Sequence, residues 1–363
     1  MAQRRTMLSC LLAIGIVACT QGLRAQANSS HQESPPQASR SETTPAHTVP
    51  LHYRGETKLT QQWQSGLFGS IHCDHDGRIY VRSLDDASDA FQSPIVRLSS
   101  DGSSMKFEVG TIEGLRKDYP IFSFAVDPTG RLYQIVGYSE DKKDFTALVA
   151  FSSAGSYMWK SKFEFDFVPA MFLPLPAGDF LITGTKNISE GGRTQKHFFT
   201  GIFGSDAQLK RALKLPGDAD VEQQMSKSKL YAGNVAEARL APNGNIWLLR
   251  KTGQPRIQVL DGRGALLRVL ELKAPAENAR PMDFFSSGTR LLVVFQTQEQ
   301  PKQAGGSKAK MLYGLFDGES GELITVYVPP EKPGILACVN GTELTFLRGT
   351  AEGRFGIARA DLE

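Results

Sequence analysis

Net charge, cysteine, histidine and long apolar runs are all scarce in this chain, and each scarcity excludes a class of protein. Lysine and arginine number 41 against 38 aspartate and glutamate. Removal of residues 1–18 takes away Arg4 and Arg5 and leaves +1, while removal of residues 1–27 also takes Arg24 and leaves zero. A near-neutral protein has no global field with which to gather nucleic acid or an anionic membrane. Four cysteines in 363 residues are too few for a disulfide framework. The six histidines are scattered, and His31, His47 and His52 lie toward the N-terminus. The sequence contains no Gly-x-Ser-x-Gly, His-Glu-x-x-His, phosphate-loop or Cys-x-x-Cys-His pattern, so no cofactor, resident metal or catalytic residue is expected from motifs.

The one sustained apolar run, residues 7–18, is 12 residues long. It is too short for a membrane anchor and follows Arg4 and Arg5, as the apolar core of an export signal does. Two processing sites compete. Ile16-Val17-Ala18-Cys19 resembles a lipobox, which would lipidate Cys19; Ala25-Gln26-Ala27 has the small-x-small pattern of ordinary signal cleavage. The paired arginines also fit a twin-arginine signal. The chain is therefore expected to be exported, periplasmic or extracellular, with a lipid anchor if Cys19 is used and no transmembrane helix after processing. Residues 28–50 are rich in Ser, Pro, Gln and Thr and cannot offset their ordering entropy, so they read as a disordered tether.

From there to the C-terminus one unit recurs: an apolar strand, a tight turn with glycine, then a second apolar strand. The turn glycines are Gly77, Gly130, Gly178, Gly244, Gly288 and Gly341, spaced 44 to 66 residues apart. Glycine reaches the positive φ that short hairpins demand, and Asp127-Pro128-Thr129-Gly130 supplies the remaining turn chemistry. A second hairpin follows in the first five units, giving four strands per unit, A to D. Six such units predict an all-β fold, a six-bladed β-propeller over residues 51–363. The sixth unit lacks its last strand, and LHYRGETKLTQQW (51–63) precedes the first unit as an orphan strand. Pairing the two closes the ring.

The repeated Gly77-Arg78-Ile79-Tyr80 and Gly130-Arg131-Leu132-Tyr133 resemble NHL-type and related six-bladed propellers, a resemblance that carries fold and no activity. In such folds the A–B and C–D turns lie on one face and the B–C and D–A connections on the other. Residues 83–93, 137–145, 184–198 and 296–311 read as long B–C loops, and 217–234 as a long D–A loop. Function is expected on that face, where Asp85, Asp86 and Asp89 oppose Lys302, Lys308 and Lys310. Polar residues nearest the starts of the A strands, Asp118, Tyr119, Asn234, Glu237 and Arg280, are the candidate binding residues. The preferred reading is a monomeric binding or scaffold module for a protein or small-molecule ligand. The alternative is a metal-assisted lactonase or lyase at the channel mouth. His72-Cys73-Asp74-His75-Asp76 looks like a metal site, but adjacent strand residues point to opposite faces, and turn chemistry accounts for it. Cys73 and Cys338 fall at equivalent places in blades 1 and 6. They are expected as buried free thiols, because a bridge needs Cα atoms within about 7 Å.

Overall fold

The computed structural model describes residues 47–62, 71–82, 93–116, 124–164, 167–190, 193–228, 236–252, 254–298, 309–350 and 352–362. Residues 1–46, which include Cys19 and the stretches read as an export signal and most of the tether, lie outside the described residues. Two strands from the N-terminal segment, β1 (His47–Pro50) and β2 (Tyr53–Gln62), precede the blades. Blade 1 holds β3 (His72–Cys73), β4 (Ile79–Arg82), β5 (Ile95–Leu98) and β6 (Ser104–Phe107). Blade 2 holds β7 (Phe124–Val126), β8 (Leu132–Glu140), β9 (Lys143–Phe151) and β10 (Tyr157–Lys162). Blade 3 holds β11 (Phe167–Pro174), β12 (Phe180–Glu190), β13 (Arg193–Phe203) and β14 (Leu209–Leu213), followed by a helix, α1 (Asp218–Ser228). Blade 4 holds β15 (Ala236–Leu240), β16 (Ile246–Arg250), β17 (Arg256–Leu260) and β18 (Leu266–Glu271). Blade 5 holds β19 (Ala279–Ser287), β20 (Arg290–Gln298), β21 (Ala309–Asp317) and β22 (Leu323–Val328). Blade 6 holds β23 (Ile335–Asn340), β24 (Glu343–Gly349) and β25 (Arg354–Asp361).

Each blade is an antiparallel sheet, and consecutive inner strands adjoin around the ring, with β23 meeting β3 at the seam. β2 completes blade 6 by pairing antiparallel with β25, as the missing strand predicts. β1 adds a fifth strand to blade 5, parallel to β22. Four residues of the stretch read as tether, His47–Pro50, are thus part of the propeller.

The two-sided apolar character of the strands follows from the pleat, which sends successive side chains to opposite faces. In β4, Ile79 and Val81 pack against blade 6 while Tyr80 packs against blade 2. Between blades 2 and 3, Ala125, Ile135 and Leu148 meet Phe167, Phe172, Phe180 and Phe203. Each large apolar side chain buried this way contributes about 1.5–3 kcal/mol.

The six turn glycines all have positive φ, between 59° and 81°. At Gly130 a Cβ would also meet the Tyr80 hydroxyl at 3.0 Å. The Asp residues heading these turns in blades 1 and 2 explain the repeated Gly-Arg-[Ile/Leu]-Tyr. Asp74 Oδ1 accepts the N–H groups of Asp76 and Arg78, and its Oδ2 accepts Arg78 Nε at 2.6 Å and the Tyr80 hydroxyl at 2.8 Å. Asp127 repeats the pattern with the Thr129 and Arg131 N–H groups and the Tyr133 hydroxyl.

Three sequence expectations are corrected. Residues 137–145 form a continuous hairpin, and the described residues of 184–198 pair as strands: β8 and β9 run nine residues each, and β12 and β13 eleven each. Their polar ends stay in the ladder because backbone pairing needs no apolar side chain. The 217–234 connection contains α1, tied down by its first residue: Asp218 accepts the Leu215 N–H at 2.8 Å and pairs with the fully buried Arg250. Cys73 and Cys338 form a disulfide with Cα atoms 5.6 Å apart. Inner strands share the narrowest circumference of the ring, and there β3 and β23 come within bridging distance.

Candidate functional site

The inner strands form the wall of the central channel, so their inward positions decide what the channel can do. Most hold small or apolar residues, but β15 and β19 carry charge. Arg239 and Asp283 pair across the boundary between blades 4 and 5. Arg239 Nη2 donates to both carboxylate oxygens at 2.9 Å, and the Phe284 N–H donates to Asp283 Oδ1 at 2.7 Å. The guanidinium lies 4.1 Å from the centroid of the Phe285 ring. Arg239 keeps 20% and Asp283 33% of its side-chain surface open. The Arg239 Nε–H is buried and finds no acceptor among the described residues.

Two residues earlier on the same strand, Glu237 Oε2 lies 3.4 Å from Lys251 Nζ. Burial raises the Glu237 carboxyl above its ordinary range, with Asp283 adding to the shift and Lys251 and Arg239 opposing it. On the opposite side of the ring, in blade 1, His72 packs edge-on against Phe124 at 4.8 Å. Burial, together with the Arg239 cation, lowers its imidazole from 6.5 to about 4, against the opposing pull of Asp283. At neutral pH His72 is therefore uncharged.

The inner strands of all six blades enclose a cavity of about 700 Å³. It opens toward the A–B turns, whose residues Gly77, Pro128, Pro242, Gly288 and Gly341 form part of its lining. Arg239 and His72 line it from within, and the Cys73–Cys338 disulfide forms part of the wall.

Of the five residues chosen from the sequence, Glu237 is half-buried on β15 and is engaged by Lys251. Arg280 is exposed on β19, opposite Gln296. Asp118, Tyr119 and Asn234 lie outside the described residues, as do Asp85, Asp86, Asp89, Lys302 and Lys308; Lys310 is described and exposed. Sequence reasoning passed over Arg239 and Asp283. The signal available was a charge in the middle of an inner strand, in Ala-Glu-Ala-Arg-Leu and Pro-Met-Asp-Phe-Phe. The cluster at 72–76 divides its labour: His72 packs in the channel wall, Cys73 is bridged, and Asp74 organises its turn. Among the described residues no three His, Cys, Asp or Glu side chains converge as metal ligands would.

No family model matches the chain, and no curated protein matches it. Solved structures similar to it include a protein of unknown function from Dyadobacter fermentans, at 9% identity over 86% of this chain and 99% of that one, TM-score 0.47. YCF48 bound to a D1 peptide is similar at 8% identity over 89% and 100%, TM-score 0.42, and the Dos1 propeller at 9% over 84% and 82%, TM-score 0.39. The six sheets and the ring of contacts between their inner strands make the chain a six-bladed β-propeller.

Proposed function

We propose that this protein is an exported binding module whose partner docks on the face formed by the B–C hairpins. The observation that carries this reading is the unequal height of the blades on that face. β16 and β17 of blade 4 are five residues each, whereas β12 and β13 of blade 3 reach eleven and β8 and β9 of blade 2 reach nine. At about 3.4 Å per residue such differences raise a wall of order 10 Å or more above a lower floor, and relief of this kind on a rigid scaffold suits a macromolecular surface. The A–B face, by contrast, carries uniform tight turns. Export is supported by the N-terminal signal pattern and by the disulfide, which persists in oxidising compartments. The lactonase or lyase alternative has less support, because Glu237, the one of its two acidic candidates among the described residues, is held by Lys251.

A photo-crosslinking residue at Lys143, at the tip of the blade 2 hairpin, is expected to capture a partner in envelope extract that the same residue at Asn243, on the A–B face, does not. The captured protein should rebind the purified chain saturably, and replacing residues 187–196 by a two-residue turn should weaken binding about tenfold or more. Capture from Asn243 alone, or binding indifferent to the shortened hairpin, would refute the reading.

A further inference from the structure

The cavity at the other end of the channel is a separate feature, and its chemistry is specific. Its size, about 700 Å³, lies within the range of roughly 300–1,000 Å³ that small-molecule sites occupy. Apolar and polar groups share the wall almost equally, the apolar ones including Ala125, Phe172, Leu240, Phe285 and Val339. Two acids on the wall, Asp74 and Asp127, are consumed by their own turns: each accepts backbone N–H groups and a tyrosine hydroxyl. Arg239 is the one Lys or Arg side chain among the described residues that line the cavity.

A guanidinium carries five N–H donors. Those of Arg239 Nη2 serve Asp283, and Nε has no acceptor among the described residues. Nε is sealed from solvent, so Nη1 is the nitrogen of this guanidinium left to a ligand beside the apolar part of the wall. We propose that this cavity binds a small carboxylic acid with an apolar body, the carboxylate accepting from Arg239 and the body lying against Leu240 and Phe285. A monoanion fits better than a phosphate dianion, because Asp283 already offsets the single cation. The Phe285 ring, whose centroid lies 4.1 Å from the guanidinium, offers an apolar face directly beside the cation.

The test is calorimetric titration of the purified full-length mature protein with benzoate and with benzamide, its neutral counterpart of the same shape. Benzoate should bind about tenfold more tightly than benzamide. Arg239→Gln should abolish the difference. Asp283→Asn keeps the side-chain shape and releases Nη2, and should strengthen benzoate binding several-fold; it also keeps the test informative if Arg239→Gln fails to fold. Equal binding of the two probes, benzoate binding unchanged by Arg239→Gln in a variant that unfolds at the wild-type temperature, or no benzoate binding by wild type and Asp283→Asn would each overturn the proposal. The hairpin-face experiment reports on the opposite end of the molecule, so either reading can fail without the other.

Discussion

Breaking the Cys73–Cys338 bridge tests the ring seam directly. The bridge joins residues 265 apart, so in the unfolded chain it closes a loop spanning most of the propeller. Chain-entropy arithmetic for a loop of that size gives roughly 5–6 kcal/mol, and native disulfides commonly contribute about 2–5 kcal/mol. A propeller of about 300 residues unfolds with an entropy near 0.65 kcal/mol/K, so the Cys73→Ser/Cys338→Ser variant should melt about 3–8 °C below wild type. The assay is scanning calorimetry of both proteins with and without a dithiol reductant, with non-reducing peptide mapping of the wild type. Reductant should lower the wild-type transition to that of the variant and leave the variant unmoved. A wild type insensitive to reductant, or a map showing the Cys73 and Cys338 peptides unlinked, would refute the reasoning.

Two further outcomes follow from the turns and the channel. Asp74→Ala strands a buried tyrosine hydroxyl and two backbone N–H groups and should cost about 2–4 kcal/mol in urea unfolding. Asp127→Ala, in a more exposed turn, should cost about 1–2 kcal/mol, and equal losses would contradict the burial argument. His72 is held neutral down to about pH 4 in the folded protein, whereas the unfolded chain takes up that proton near pH 6.5. Stability is therefore complete above pH 6.5 and falls as pH drops from 6.5 to 4, by up to about 3 kcal/mol from this group. Denaturant midpoints across that window should fall more steeply for wild type than for His72→Gln, and parallel profiles would remove His72 as the cause.

What the sequence discloses is what local chemistry determines. A glycine in a two-strand turn fixes a hairpin whatever surrounds it, so six glycines gave six blades, and a unit short of one strand pointed to Tyr53–Gln62. The hairpins at 137–145 and 184–198 escaped notice because their tips are polar on both faces, and apolar periodicity, the signal for a strand, is absent there. Helix α1 escaped for a related reason: among its residues whose side chains are described, Val221 alone joins the apolar core. The disulfide and the Arg239–Asp283 pair depend on distances between blades, which no local pattern encodes. Glu237 was found because an acid near the start of an inner strand is visible in sequence; its capture by Lys251 was not.

The two N-terminal strands impose an order on assembly. β1 and β2 are synthesised first, yet their partners β22 and β25 lie at the far end of the chain; Tyr53 bonds to Pro333 across 280 residues and Lys58 to Glu352 across 294. A polypeptide emerging N-terminus first must keep these segments waiting while five blades form with raw edges. Contacts of such long range make folding slow and leave sticky intermediates. The clasp that gives the finished ring its permanence thus delays its completion until the final strand has arrived.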